Sequence, residues 1–406
     1  DQDDLVANGA PEYNIVDAMG VPLATNTGPV GTLKRISGTP TPGTVKNKAV
    51  FAQVIYDATD RLHLALEGRY AEDEIGAINA GATTNCPRNL SGDYKSFTPR
   101  GSVRFDFTEE VNVYFSVARG NKPGTFNTGL CGTTVNAAEY ARLSLITPLE
   151  VKEERTLNYE LGAKMRLLEG RMAIDVAMFF TDWTNQQVSQ SQVVQPTVGN
   201  PTTVSLISNA GTTEIRGLEV NWRFKASKNW DLNLAYGHTN AKFTENCDAV
   251  FAQLLGSPVV STGPCPSVIP PPPAPASSTV RFESVAGFVT PNSPEHTGSI
   301  GAEFHAPIGA AGWEVFARAD ASYQSERFAE VYNHASTGDS SRIDARLGLK
   351  AEQWSVTLWG RNLGDDRSPS AVRRFINGNA AFPLQRAFDM SFPNGRLMGL
   401  TATYQF

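Results

Sequence analysis

The sequence predicts an all-β protein, an antiparallel transmembrane β-barrel of which about thirteen strands are visible in 406 residues. Three observations predict it. Apolar and charged residues alternate one by one over stretch after stretch, which places them on opposite faces of a strand. Many stretches reach the roughly 9–11 residues that a tilted strand needs to cross a bilayer. The connections alternate between tight turns and long loops, as in barrels whose two rims face different compartments.

In chain order the strands fall near 49–58, 61–72, 97–107, 110–120, 154–168, 171–185, 213–225, 230–242, 294–305, 313–327, 341–351, 354–363 and 395–406. In the second, Leu62, Leu64, Leu66 and Tyr70 oppose Arg61, His63, Glu67 and Arg69. In the fifth, Leu157, Tyr159, Leu161, Ala163, Met165 and Leu167 oppose Thr156, Asn158, Glu160, Gly162, Lys164 and Arg166. In the seventh, Leu218, Val220, Trp222 and Phe224 oppose Gly217, Glu219, Asn221 and Arg223. In the eleventh, Ile343, Ala345, Leu347 and Leu349 oppose Arg342, Asp344, Arg346, Gly348 and Lys350. A helix would scatter these charges around its circumference. Tight turns are expected at 58–60, 107–109, 168–170, 225–229 and 351–353, and long loops at 73–96, 121–153, 186–212, 243–293, 328–340 and 364–394. Residues 1–48 read as an external loop or leading segment, and 49–406 as barrel.

The direction of the faces follows from energy. An Arg or Lys on the lipid face near the midplane costs about 2–4 kcal/mol. The Leu-bearing face therefore looks outward and the charged face lines a wet interior. Phe51, Tyr56, Tyr70, Phe97, Phe107, Trp183, Trp230, Trp313, Tyr323 and Trp354 lie near strand ends, where headgroup girdles collect aromatics.

Composition excludes other classes. A net charge of −6 without a Lys/Arg block gives no footprint for nucleic acid. No run of 18 apolar residues offers a membrane helix. Cys86, Cys131, Cys247 and Cys265 form no C-x-x-C and have no histidine pair at ligand spacing, so disulfides in an oxidising compartment are expected and a metal site is not. Four cysteines allow three pairings, and the sequence leaves them open. Cys247 and Cys265 share one long loop with the stiff Pro270–Pro273 tract.

Several segments resemble a known family. Tyr114 to Asn127, YFSVARGNKPGTFN, is similar to a stretch common in TonB-dependent receptors, with Asn121 where an aromatic is frequent. Ser208-Asn209-Ala210-Gly211 followed by Glu214 to Glu219, and Arg361-Asn362-Leu363-Gly364-Asp365, resemble two more family stretches in family order. Ala49 to Gln53 and Gly68-Arg69-Tyr70 fit as well. Alternation through Leu400 to a terminal Phe406 resembles the signal read by the barrel-assembly machinery.

The resemblance implies a twenty-two-stranded barrel around a plug, so the early strands, the plug and the TonB-contacting box are expected to be absent here. A strand at 30–37 closing a small barrel of fourteen is the alternative. It implies no catalysis and no cofactor. The implied activity is uptake of a scarce nutrient, most often a ferric siderophore, across the outer membrane of a Gram-negative bacterium. TonB and its inner-membrane energising complex would act through the plug, and lipid and lipopolysaccharide would surround the wall. A passive porin, or a receptor for cobalamin or glycans, is the alternative. Candidate ligand contacts on the external loops are Arg119, Lys122, Phe126, Arg281, Arg327, Tyr332, Arg373, Arg374 and Arg386, cations and aromatics suited to anionic chelates. Solvated loop charge and lipopolysaccharide contact are the plainer roles for the same residues. No G-x-S-x-G, H-E-x-x-H or phosphate-binding glycine loop occurs. His63 and His305 fall near tight turns, and His334 on a loop.

Overall fold

The computed structural model describes residues 43–78, 86–194, 196–197, 202–248, 251, 265, 282–309, 312–376 and 386–405. The elements in chain order are β1 (Gly43–Asp57), β2 (Leu62–Ile78), β3 (Asn89–Thr108), β4 (Val111–Lys122), β5 (Thr125–Phe126), α1 (Ala137–Ile146), β6 (Glu150–Val151), β7 (Glu154–Leu167), β8 (Met172–Val194), β9 (Thr202–Lys225), β10 (Trp230–Glu245), β11 (Cys247–Asp248), β12 (Glu283–Ser284), β13 (His296–Ile308), β14 (Trp313–Gln324), β15 (Ser340–Lys350), β16 (Trp354–Arg361), β17 (Ala371–Ile376), β18 (Arg386–Ser391) and β19 (Leu397–Tyr404). Thirteen of the strands form one sheet, in the order β1-β2-β3-β4-β7-β8-β9-β10-β13-β14-β15-β16-β19. Every neighbouring pair is antiparallel. Among the described residues β1 and β19 each have one neighbour and remain the two edges. No described helix is long and apolar enough to cross a membrane.

Register carries the alternation from strand to strand, because directly opposed residues share a face. Phe115 opposes Leu161, Leu161 opposes Met178, and Met178 opposes Leu218. Leu347 opposes Leu358, which opposes Leu400. These side chains are not a core: Leu161 is 45% exposed and Leu400 68%. The other phase lines the cavity described below, so the polar face is the concave one. On it Tyr114 lies against Gly162 and Phe316 against Gly348, where a Cβ would collide with the ring. Those glycines sit in the charged phase because a lumen aromatic covers them.

One rim carries the tight turns; at 168–170, three successive residues have positive φ. The other rim departs from the expected loops. β2 runs to Ile78 and β3 starts at Asn89, and β8 and β9 stay paired from Gln186↔Ala210 to Val194↔Thr202. Most of 73–96 and 186–212 is therefore strand, not loop. Above the bilayer a hairpin needs no lipid-facing stripe, so its sequence loses the alternating signature while its backbone ladder continues. β1 likewise starts at Gly43 rather than near 49. The strand considered at 30–37 lies outside the described residues.

Candidate ligand vestibule

The buried apolar core of this chain lies in the cap over the long-loop rim. One cluster joins Leu130, Val135, Leu143, Val194 and Leu206 with the Cys86–Cys131 disulfide. It forms because α1 rests on the β8–β9 extension. Asn136 caps α1 by accepting a hydrogen bond from the Glu139 amide at 2.9 Å, which satisfies one orphan donor of the first turn. A second cluster holds Phe243, Val285, Val331 and Tyr332, with Phe251 and Phe288 packed against it. The other disulfide, Cys247–Cys265, staples the loop beside it. The pairing left open by sequence is thus one bridge between two loops and one within a loop.

Three asparagines clip this cap together, and each comes from a segment singled out by sequence. Buried Asn127 donates to Thr147 Oγ1, Pro148 O and Ile207 O at 3.0, 2.8 and 2.8 Å and accepts from the Ile207 amide at 2.7 Å. Asn209 exchanges two hydrogen bonds with the Lys152 backbone, both 2.9 Å. Asn362, at a φ of 50°, donates to Asp366 O and Asn394 O. Beside Asn209, a Cβ on Gly211 would strike the Glu245 carbonyl, which is why a glycine stands there. These residues read from sequence as family signature; their work is to satisfy backbone groups that irregular loops leave unpaired.

Two cavities open within this cap. The larger, about 630 Å³, is lined by Asn221, Ser322, Gln324, Arg327, Arg342 and Asp366 among others. Much of its wall is lumen-phase residues in register, as in Ser322↔Arg342 and Gln324↔Ser340, and Tyr236, Gly298 and Tyr323 of the other phase border it as well. The second, about 570 Å³, is lined by Gln187, Asp248, Tyr332 and Arg373 among others. Both sizes suit a small ligand.

The expected contact residues separate into distinct places. Arg327 borders the first cavity: one guanidinium nitrogen donates to Ser370 O at 2.6 Å, while Nε is buried with no hydrogen-bond partner among the described residues. Tyr332 and Arg373 border the second; Arg373 is exposed, and the Tyr332 ring stacks parallel on Phe251 at 5.7 Å. Lys122 lies 3.4 Å from Glu154. Half-buried Phe126 sits in the β5–β6 pair. Arg119 opposes Leu157 and so stands on the outward face, away from both cavities. Arg374 and Arg386 belong to the β17–β18 hairpin, described in backbone register only. Arg281 and Phe406 lie outside the described residues.

Part of the charged lumen face is paired within the wall. Arg318 reaches Glu303 at 2.9 Å and Asp320 at 2.6 Å, and Arg346 lies 3.7 Å from Glu303. Missed entirely was Arg342 as a cavity wall; its place in the charged phase beside the loop rim was the available signal. At the mouth, the Ser368 amide above all, with the Ser341 amide, holds the Asp366 carboxyl below its ordinary range. The Arg396 amide does the same for Asp365.

An antiparallel wall, apolar outside and polar inside, with tight turns on one rim and a cross-linked cap on the other, has the architecture of a transmembrane β-barrel protein. A family model described as TonB dependent receptor-like, beta-barrel, matches residues 5–363. The chain belongs to the TonB-dependent receptor family, a family of receptors and transporters rather than enzymes. It is 24% identical over 194 residues to the pesticin receptor of Yersinia pestis, covering 47% of this chain and 25% of that protein. It is 26% identical over 217 residues to the ferric-pyoverdine 358 receptor of Pseudomonas putida, covering 50% and 22%. The crystal structure of the ferric yersiniabactin uptake receptor FyuA from Yersinia pestis superposes with a TM-score of 0.61 at 17% identity, over 90% of this chain and 46% of that one. The matched part is about a quarter of the length of those curated relatives.

Proposed function

We propose that this chain supplies barrel wall and loop cap of a TonB-dependent receptor that imports a ferric siderophore across the outer membrane of a Gram-negative bacterium. The observation that carries the reading is the 630 Å³ cavity, a polar pocket at the loop rim with Arg327 and Arg342 in its wall. The relative named as a ferric-pyoverdine receptor supports that cargo class. An anionic chelate would be attracted by the Arg327 and Arg342 charges in the wall of a partly desolvated site, where such contacts are strong. Arg373 and the Arg374 and Arg386 backbone positions border the approach on the β17–β18 side. Arg119 on the outer wall suits lipopolysaccharide instead. TonB and the inner-membrane energising complex act through a plug, and the barrel-assembly machinery inserts the wall.

The test is ligand binding by the full-length receptor in detergent, using a panel of ferric siderophores, with uptake of the same radio-iron chelates under iron limitation. Arg327→Ala with Arg342→Ala is expected to weaken binding by about a hundredfold or more, since each charge-assisted contact contributes about 1.5–3 kcal/mol. Binding of no chelate, together with steady ion conductance in planar bilayers, would instead make the protein a porin. Tight binding of cobalamin or an oligosaccharide in place of every chelate would change the cargo.

A further inference from the structure

Away from the vestibule, on the other face of the wall, His238 of β10 directly opposes His296 of β13. His238 also opposes Leu218, which opposes Met178. Both imidazoles therefore share the outward face with the apolar side chains. Each stands high on its strand: His238 follows Trp230, at the tight-turn end, by eight residues, and His296 is the first residue of β13. A paired histidine here is unlike its neighbours, because imidazole in contact with hydrocarbon is costly unless its nitrogens are occupied.

The two rings stack with centroids 4.9 Å apart and planes 29° from parallel. The hydroxyl of Tyr236 meets His296 Nδ1 at 3.0 Å and fixes that ring's orientation. His238 Nδ1 is buried and has no hydrogen-bond partner among the described residues. Glu295 lies at the bend just before β13, so the strand pleat does not send its side chain to the opposite face. One ring nitrogen from each histidine and one Glu295 carboxylate oxygen all lie within 4.8 Å of one another. Donors on a tetrahedral ion at ~2.0–2.1 Å stand roughly 3.4 Å apart. Rotation about the side-chain bonds is the motion that would close that difference.

We propose that His238, Glu295 and His296 form a divalent transition-metal site on the outward face of the wall, near its outer rim. Two imidazoles and one carboxylate are a donor set for Zn²⁺ and ions of similar preference, with the remaining positions left to water. At the rim, within reach of water, the ion gives one ring nitrogen of each histidine a partner. It also clamps β10 to β13, the two strands that launch the longest loop, which carries the Cys247–Cys265 bridge. Neither histidine nor Glu295 lines the vestibule cavity, although Tyr236 borders it, so the site stands whatever the cargo is.

The experiment strips the full-length receptor, purified from outer membranes in detergent, with a chelator and titrates it calorimetrically with Zn²⁺. One tight equivalent is expected. His238→Ala and His296→Ala are each expected to weaken it by at least about tenfold, a loss typical of disrupted metal shells. Glu295→Gln, an exposed position that does not threaten folding, is expected to weaken it as well. Co²⁺ in place of Zn²⁺ should give the visible absorption of a tetrahedral nitrogen–oxygen site, lost in the same variants. Unboiled-gel mobility reports that each variant is folded. No tight Zn²⁺ in the wild type, or undiminished Zn²⁺ binding in folded Glu295→Gln and His238→Ala proteins, overturns the proposal.

Discussion

Asn362 and Asp366 hold each other reciprocally: Asn362 Nδ2 donates to the Asp366 carbonyl at 2.9 Å, and the Asp366 amide donates to Asn362 Oδ1 at 2.9 Å. The Asn362 amide in turn reaches Asp344 Oδ1 at 2.8 Å. β16 ends at Arg361, immediately before this knot, and the Asp366 side chain goes on to the cavity wall.

Two substitutions at Asn362 are expected to separate its side chain from its backbone. Asn362→Gly loses the buried hydrogen bonds and keeps the positive φ easily, at a cost of about 1–3 kcal/mol. Asn362→Ala loses the same bonds and adds about 1–2 kcal/mol for a Cβ in the left-handed region. Chemical unfolding of the detergent-solubilised receptor, followed by hydrogen exchange at 362–370, checks the order. Equal cost for the two variants would mean the backbone is not held there.

The same turn gives a pH dependence. Asp365 and Asp366 have folded values held below their ordinary 3.8 by backbone amides. A depressed carboxylate contributes stability that is fully present above the ordinary value and is lost as pH falls through the folded one. Protection of the Ser341, Ser368 and Arg396 amides should therefore be constant well above the ordinary carboxylate range and be lost only as pH falls below it. Asp366→Asn should lower protection at neutral pH and flatten its share of the profile.

The Asn127 hub and the Cys86–Cys131 bridge stabilise the cap rather than the wall. Asn127→Ala is expected to cost about 2–3 kcal/mol by stranding buried partners. Removing the disulfide, whose cysteines are 45 residues apart, releases about 4 kcal/mol of loop-closure restraint by the chain-entropy account. Limited proteolysis should then cut within 125–150 while unboiled-gel mobility stays that of a folded barrel.

Leu347→Arg on the outward face should destabilise the wall by about 2–4 kcal/mol, whereas Thr357→Arg on the lumen face should change it by less than about 1 kcal/mol. Leu347 opposes Leu358, and Thr357 opposes Gly348 in the other phase. Refolding into lipid vesicles with urea titration measures both. Equal effects would put hydrocarbon on neither face.

The thirteen-strand count and the direction of the wall were legible in the sequence, because one alternation, repeated through Leu161, Leu218 and Leu347, has a single inexpensive orientation in lipid. The family segments were legible too, yet not what Asn127, Asn209 and Asn362 do, since each satisfies backbone groups that come near only once loops fold. Periodicity also stopped at the membrane boundary, so the β8–β9 hairpin above it looked like loop. Tertiary structure alone decided the cysteine pairing, the outward placement of Arg119, the lining of one cavity by both Arg327 and Arg342, and the pairing of His238 with His296. The physical reason is range: alternation is a property of neighbours along one strand, whereas a cavity, a bridge or a metal-ligand set depends on the register between strands and on where the loops between them return.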